Sequence, residues 1–302
     1  MLRPGELLID DDGVHLVGAN GAIRKQRPDV AMKLMYPGDH TAEDGTLGAV
    51  PRDYAVQPQE VFADPSQIPL IAESEYEARI QHDIEAQNSI PDLLDLYGIP
   101  STDQNGDGFC WIYSVGGCVQ VVRVINNQPQ TRMNPHSVGA IIKGGRNEGG
   151  WCGLGAEFVQ KHGMASMDEW PEHSRDVRRY DTPEMREHMK QFTTPEMWID
   201  LHRQAWDRNL ARKQIATLLL SKVPVAADFA WWGHSVMLVQ LVLVERGSFG
   251  WRFRNSWTDR YGDRGYSVIR GSKMETMGAV ALLTTNASSM LSTVKTTPSL
   301  AF

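Results

Sequence analysis

Asp103-Gln104-Asn105-Gly106-Asp107-Gly108-Phe109-Cys110-Trp111 leads from a polar, glycine-punctuated loop into an almost wholly apolar run of the 302-residue chain. Its first six residues have the Asp-x-Asn-x-Asp-Gly spacing that opens a calcium loop. Such a loop needs a bidentate Glu at its twelfth position, where counting from Asp103 reaches Ser114 instead, so calcium is set aside. Residues 110–125 are apolar nearly all round, with Gly116 and Gly117 inside, and predict a buried helix packed closely at its glycines. Cys110 then stands at a helix N-terminus, where the positive end of the dipole favours a thiolate. A reactive thiol also needs a base and a group to orient that base. His234 lies 124 residues downstream and Asn255 lies 145 downstream, within Asn255-Ser256-Trp257.

Outward from this stretch the chain divides by composition. Residues 1–88 carry seven of the sixteen prolines, and hold 7 of the 30 Lys and Arg against 16 of the 37 Asp and Glu, a net −9. Proline at this density forbids long helices and predicts an extended acidic arm with short strands such as 14–17. The exception is 73–87, where Tyr76, Ile80 and Ile84 recur at helical spacing. Beyond residue 89 the pattern is globular, with helices expected at 154–162 and 183–192 and two more within 195–222. After Pro224 short β-type runs follow, at 225–229, 235–245, 251–254, 266–270 and 279–283. Helices first and strands afterwards predict an α+β domain over 89–284, followed by a Ser/Thr-rich tail, 285–302.

The remaining 214 residues carry a net +2, so no phosphate-binding surface has compositional support and nucleic acid is excluded as a partner. The longest apolar stretch, around 236–244, is interrupted by Gln240 and is too short to span a bilayer. Met1-Leu2-Arg3-Pro4-Gly5-Glu6 lacks a basic region followed by an apolar run. The expectation is therefore a cytoplasmic protein, or one assembled into a particle inside the cell. Three cysteines, Cys110, Cys118 and Cys152, make no disulfide framework and no zinc site. The histidines form no metal-binding pair, and His162, His173, His188 and His202 are expected as surface or core residues.

Across 89–284 the chain resembles the papain family of cysteine peptidases. Ile90-Pro91-Asp92 is similar to the start of that family's mature domain, and Gln104 with Cys110-Trp111 is similar to its Gln and Cys-Trp signature. Glu148-Gly149-Gly150-Trp151 resembles its cleft-lining segment. His234-Ser235-Val236 resembles its His segment, and Asn255-Ser256-Trp257 with Gly262 and Gly265-Tyr266 its Asn segment. The resemblance implies a helical subdomain carrying the Cys and an antiparallel, barrel-like β subdomain carrying the His and Asn. It implies Cys110 as nucleophile, His234 as its imidazolium partner, and Asn255 as the group fixing the ring. Trp257 would shield that contact, with Trp111 in support. The Gln104 amide and the Cys110 backbone N–H would form an oxyanion hole, and Gly149, Gly150, Trp151 and Cys152 would meet substrate. Neither cofactor nor metal is called for.

Several positions depart from the family. Asp107 and Asn147 stand where a disulfide usually braces the nucleophile loop. Phe109 replaces a small residue and is expected to narrow the cleft. Gly233 replaces a polar residue, and Gln240 and Thr258 replace glycines. Cys118, two turns beyond Cys110, reads as a packing thiol. Cys152 either packs or lines the cleft, and Trp231 and Trp232 are either a substrate wall or core. Asn286-Ala287-Ser288 is a glycosylation sequon that matters only in a secreted protein. Two functions follow: a cysteine endopeptidase acting on peptides or proteins, or a papain-like building block of a large assembly such as a phage virion, joined to other subunits or to itself through 1–88.

Overall fold

A computed structural model describes residues 1–37, 48–52, 62–194, 198–202 and 208–283. Strands β1 (Leu7–Asp10), β2 (Gly13–Val17) and β3 (Ile23–Lys25) precede helix α1 (Pro28–Met35) and the two-residue β4 (Phe62–Ala63). Helices α2 (Tyr76–Ala86), α3 (Ile90–Leu96), α4 (Cys110–Ile125), α5 (Pro135–Lys143), α6 (Cys152–His162), α7 (Val177–Tyr180) and α8 (Pro183–Met189) follow. After them come β5 (Trp198–Asp200), α9 (Arg208–Leu220), β6 (Val225–Phe229), β7 (His234–Glu245), β8 (Ser248–Arg254), β9 (Tyr266–Arg270) and β10 (Gly278–Leu282).

The strands form one sheet in the order β3-β2-β1-β9-β8-β7-β6-β10-β5-β4. Its middle is antiparallel, and β7 is the longest strand. Val236 and Leu238 of β7 enter the core shared with α9, while Met237 and Val239 face α4 and its neighbours. Alternation at period two buries both faces, which explains a run of apolar residues with no polar side. A register shift between Leu238 and Gln240 then moves Leu241 into the α9 core, as one extra residue in a strand must.

Helix α4 runs beneath the sheet. A Cβ on Gly116 would lie 2.5 Å from Pro135 Cγ of α5, and one on Gly117 would lie 2.9 Å from Met237 Sδ of β7. The paired glycines thus let the helix touch α5 on one side and the sheet on the other. Phe109, expected to narrow the cleft, is instead fully buried: its ring meets His136 edge-on at a centroid distance of 4.8 Å. The space it fills is left by Gly139, whose added Cβ would come within 2.8 Å of the ring.

Residues 1–88 are not an extended arm throughout. β1 lies parallel to β9 and extends the sheet, and Arg3 reaches Asp92 and Asp95 of α3 at 3.2 Å each. Ser89 caps α3 reciprocally with Asp92. Glu6 and Arg252 form a bidentate ion pair at 2.5 and 3.0 Å with almost no exposure, and Gln240 accepts a further Arg252 hydrogen bond. Gln240 therefore belongs to the anchorage of the N-terminus. Lys222 pairs with Asp83 of α2, both buried. Of the two helices expected in 195–222, α9 is present, but Trp198-Ile199-Asp200 is strand β5, drawn into pairing with β10. The remaining residues there, 195–197 and 203–207, and the tail from 284 with its sequon lie outside the described residues. No helix among the described residues is long and apolar enough to cross a membrane.

Candidate active site

The loop that leads to Cys110 is fixed before α4 begins. Gln104 is fully buried: its Nε2 donates to the Asp107 carbonyl at 2.7 Å, and its Oε1 accepts from Ser256 Oγ at 2.6 Å. The calcium-like acids serve the loop itself. Asp103 Oδ1 accepts from Asn105 N at 2.8 Å, while Asp107 meets His136 at 3.0 Å and Arg175 at 3.3 Å. Where a disulfide was the family expectation, Asn147 Oδ1 accepts from Gly108 N at 2.6 Å, so a hydrogen bond links the same two segments. All three cysteines lie among the described residues as buried, unbridged thiols.

His234 opens β7 and Asn255 follows β8. Asn255 Oδ1 accepts from the Ser256 backbone N–H at 2.9 Å, which can only donate, so the amide orientation is determined. The same oxygen lies 2.8 Å from His234 Nε2, which must therefore carry a hydrogen. That leaves Nδ1 as the ring nitrogen that accepts or releases a proton. Trp257 stacks on the His234 ring at 4.4 Å and Trp232 meets it edge-on at 4.8 Å, and both indoles are 2% exposed. Trp232 is thus core around the imidazole, and Trp231 stacks on its outer side at 5.3 Å. With water kept from the His234–Asn255 contact, that hydrogen bond is strengthened.

Cys110 begins α4, and the backbone N–H groups of Ser235 and Gly48 lie close enough to its thiol to favour the thiolate. Those donors and the helix terminus favour a thiolate, yet burial pushes the thiol up to about 11. The burial comes from the chain itself. Gly150 N donates to Gly48 O at 2.8 Å, Val50 N donates to Gly150 O at 2.9 Å, and Ala49 N donates to Gly233 O at 3.0 Å. Residues 48–50 thus lie as a strand along the expected substrate glycines, parallel to Gly150. The fit is tight: a Cβ on Gly48 would fall 1.9 Å from Gly108 O, and one on Gly149 2.6 Å from Gly48 O. Gly150 also has Trp111 behind it, 2.6 Å from an added Cβ. Trp111 is fully buried and donates from Nε1 to Gly108 O at 3.1 Å.

Trp151 is the half-buried N-cap of α6, and Cys152, 1% exposed, is its first residue. Cys152 N donates to Asp228 Oδ2 at 3.0 Å, and Ser235 Oγ donates to Asp228 Oδ1. Sequence reasoning passed over Asp228, although a carboxylate inside Val225-Ala226-Ala227-Asp228-Phe229 is the visible sign of a buried polar group. Burial pushes its carboxyl up to about 6. Also unforeseen were Ser235 as a donor to both Cys110 and Asp228, His136 as a brace, and the seating of 48–52. Cys118 is a packing thiol, fully buried in the α4 core.

No family model and no curated protein matches the chain. Among solved structures, xylellain, a cysteine protease from Xylella fastidiosa, is similar with a TM-score of 0.52 at 15% identity, over 78% of this chain and 95% of that one. Digestive procathepsin L 3 of the Tenebrio molitor larval midgut gives 0.49 at 16%, over 84% and 78%. The ragweed pollen allergen Amb a 11, a cysteine protease in its proform, gives 0.49 at 18%, over 61% and 62%. At these identities the likeness is one of fold, and the fold is papain-like, mixed α+β.

Proposed function

We propose that the chain is a papain-like cysteine endopeptidase whose cleft is closed by its own residues 48–50. The observation that carries this reading is the strand pairing at Gly150 by a segment whose Gly48 reaches a thiol at a helix N-terminus and whose Ala49 N–H is bonded to Gly233, next in the chain to the Asn255-oriented imidazole. A site that pairs backbone with an extended segment recognises peptides through main-chain hydrogen bonds. In catalysis His234 Nδ1 takes the Cys110 proton, and the thiolate sulfur bonds to the carbonyl carbon of the scissile peptide. The oxyanion is held by the Cys110 N–H and the Gln104 amide. Collapse breaks the C–N bond, with the Nδ1 proton leaving on the amine, and a thioester remains. Water, losing a proton to Nδ1, then releases the acid and restores the thiol.

The seated segment escapes this chemistry because it offers Cys110 the N–H of Gly48, while the Gly48 carbonyl is turned to Gly150 N. A second reading, a structural component of a larger assembly, is favoured by the way β1 and β2 continue the sheet, which suits an N-terminus that is never shed. The two part on one experiment. The full-length chain bearing Gly48→Val, which expels the segment, is treated with a peptidyl epoxide, and adducts are mapped by mass spectrometry. Selective modification of Cys110 that disappears when His234→Ala is added is the expected result. Modification of Cys110 no faster than Cys118 and Cys152 would favour the assembly component.

A further inference from the structure

Beyond Val50 the seated segment sends one charged side chain into the protein. Arg52 forms an ion pair with Asp200, and their side chains are 4% and 1% exposed. Asp200 ends β5 and pairs with Val280, while Asp228 on β6 pairs with Gly278. Partners across a ladder share a face, as do residues two apart in a strand, so both carboxylates project from the same face of the sheet. That face is the one bearing Trp198, Ala226 and Val280, packed toward α4 and α6. Gly278 makes the room: a Cβ there would stand 2.7 Å from Asp228 Oδ2. The Arg52 charge acts on Asp228, Cys152 and His202 as well, so the guanidinium lies within electrostatic reach of all three while it pairs with Asp200. Through Ser235, Asp228 is one side chain away from Cys110.

We propose that this acidic pocket, built from Asp200 and Asp228 beside Gly150 and Cys152, is a specificity pocket for an arginine or lysine side chain of a peptide substrate, with Arg52 as its resident occupant. The assignment rests on reading the cleft as a peptide-binding site. A purely structural ion pair has no reason to lie on the same short segment that pairs with Gly150 and covers the thiol. When that segment leaves, two buried carboxylates lose their cation, and two like charges without a counter-charge in low dielectric are strongly unfavourable. A substrate that returns a cation relieves this, and one with a neutral chain of equal length does not.

The first test needs no catalysis. Thermal unfolding of the full-length Arg52→Ala chain is followed with N-acetylarginine amide and with N-acetylnorleucine amide. The arginine compound alone is expected to raise the melting temperature, and adding Asp200→Asn is expected to abolish the rise. Equal responses to the two compounds overturn the pocket. Should Arg52→Ala not fold, the Gly48→Val chain is labelled with arginyl and norleucyl peptidyl fluoromethyl ketones. The arginyl probe is expected to modify Cys110 about tenfold faster, a ratio typical of a desolvated charge pair. Equal rates overturn the pocket and leave the peptidase reading standing. Melting that responds to the arginine compound while Cys110 takes neither probe overturns the peptidase reading and leaves the pocket standing.

Discussion

Residues 1–37 and residues 48–52 belong to the same acidic N-terminal region, yet they are held by different physics. The first is sewn in by a strand ladder to β9 and by the buried Glu6–Arg252–Gln240 network. The second is held by three backbone hydrogen bonds to Gly150 and Gly233 and by one ion pair from Arg52. Removing a partner from a buried ion pair strands a charge in either part, but the backbone bonds of the second exchange with water or with another peptide at small net cost, so its Arg52–Asp200 pair is the main cost of displacing it. The region therefore combines a part built into the sheet with a segment seated at Gly150, and the proposed reading of the cleft as a peptide site predicts that the second can leave without the first.

The largest effect that tests this contrast is Glu6→Ala. It leaves Arg252 buried without its carboxylate and is expected to lower stability by about 3–5 kcal/mol in urea denaturation. A loss below about 1 kcal/mol would erase the distinction between the two parts. Gly48→Val comes next. Its new side chain collides with Gly108 O, so the strand must leave, and the backbone bonds released account for about 1–3 kcal/mol of the expected loss, with the parting of Arg52 from Asp200 adding to it. In the native chain a thiol held at about 11 ionises only as pH rises toward that value, so alkylation of Cys110 should climb about tenfold per unit from neutral pH upward. In the Gly48→Val chain the climb should level off at lower pH, and superimposable profiles would mean that the segment does not gate the thiol. The smallest effect belongs to the frame beneath both parts. Thr258 is β-branched and sits at φ +64°. Thr258→Gly relieves roughly 1–2 kcal/mol of left-handed strain and gives back about 0.5–1 in chain entropy, for a net gain of about 0.5 kcal/mol in the same denaturation assay.

Much of the part that bears Cys110, His234 and Asn255 was legible because its signals are local. An apolar run with two glycines gave α4 at its observed bounds, and period-two runs between glycine turns gave β6 to β10. The three-residue β5 carries no periodicity of its own and exists because β10 offers it an edge. Of the N-terminal strands the run at 14–17 was legible and is β2, whereas β1 and β3 were obscured by proline density, although each of those prolines lies outside β1, β2 and β3. Phe109 was misjudged because a bulky residue beside a nucleophile points into the cleft or away from it according to the neighbouring helix, and Gly139 of α5 decided that. The His234–Asn255 contact followed from residue identity once the resemblance was seen. The seating of 48–52 is a contact between distant parts of the chain, with no short-range trace in the sequence.

The Asn147–Gly108 hydrogen bond has a practical consequence at the bench. A thiol peptidase is ordinarily studied with a reductant present to keep its sulfur usable, and a covalent brace beside that sulfur would be put at risk by the same reagent. Here the loop is tied by an amide oxygen and a backbone N–H, which dithiols do not touch. Redox potential can therefore be varied freely, and any change in the behaviour of this protein between oxidising and reducing buffers reports on the state of its thiols rather than on the integrity of their scaffold.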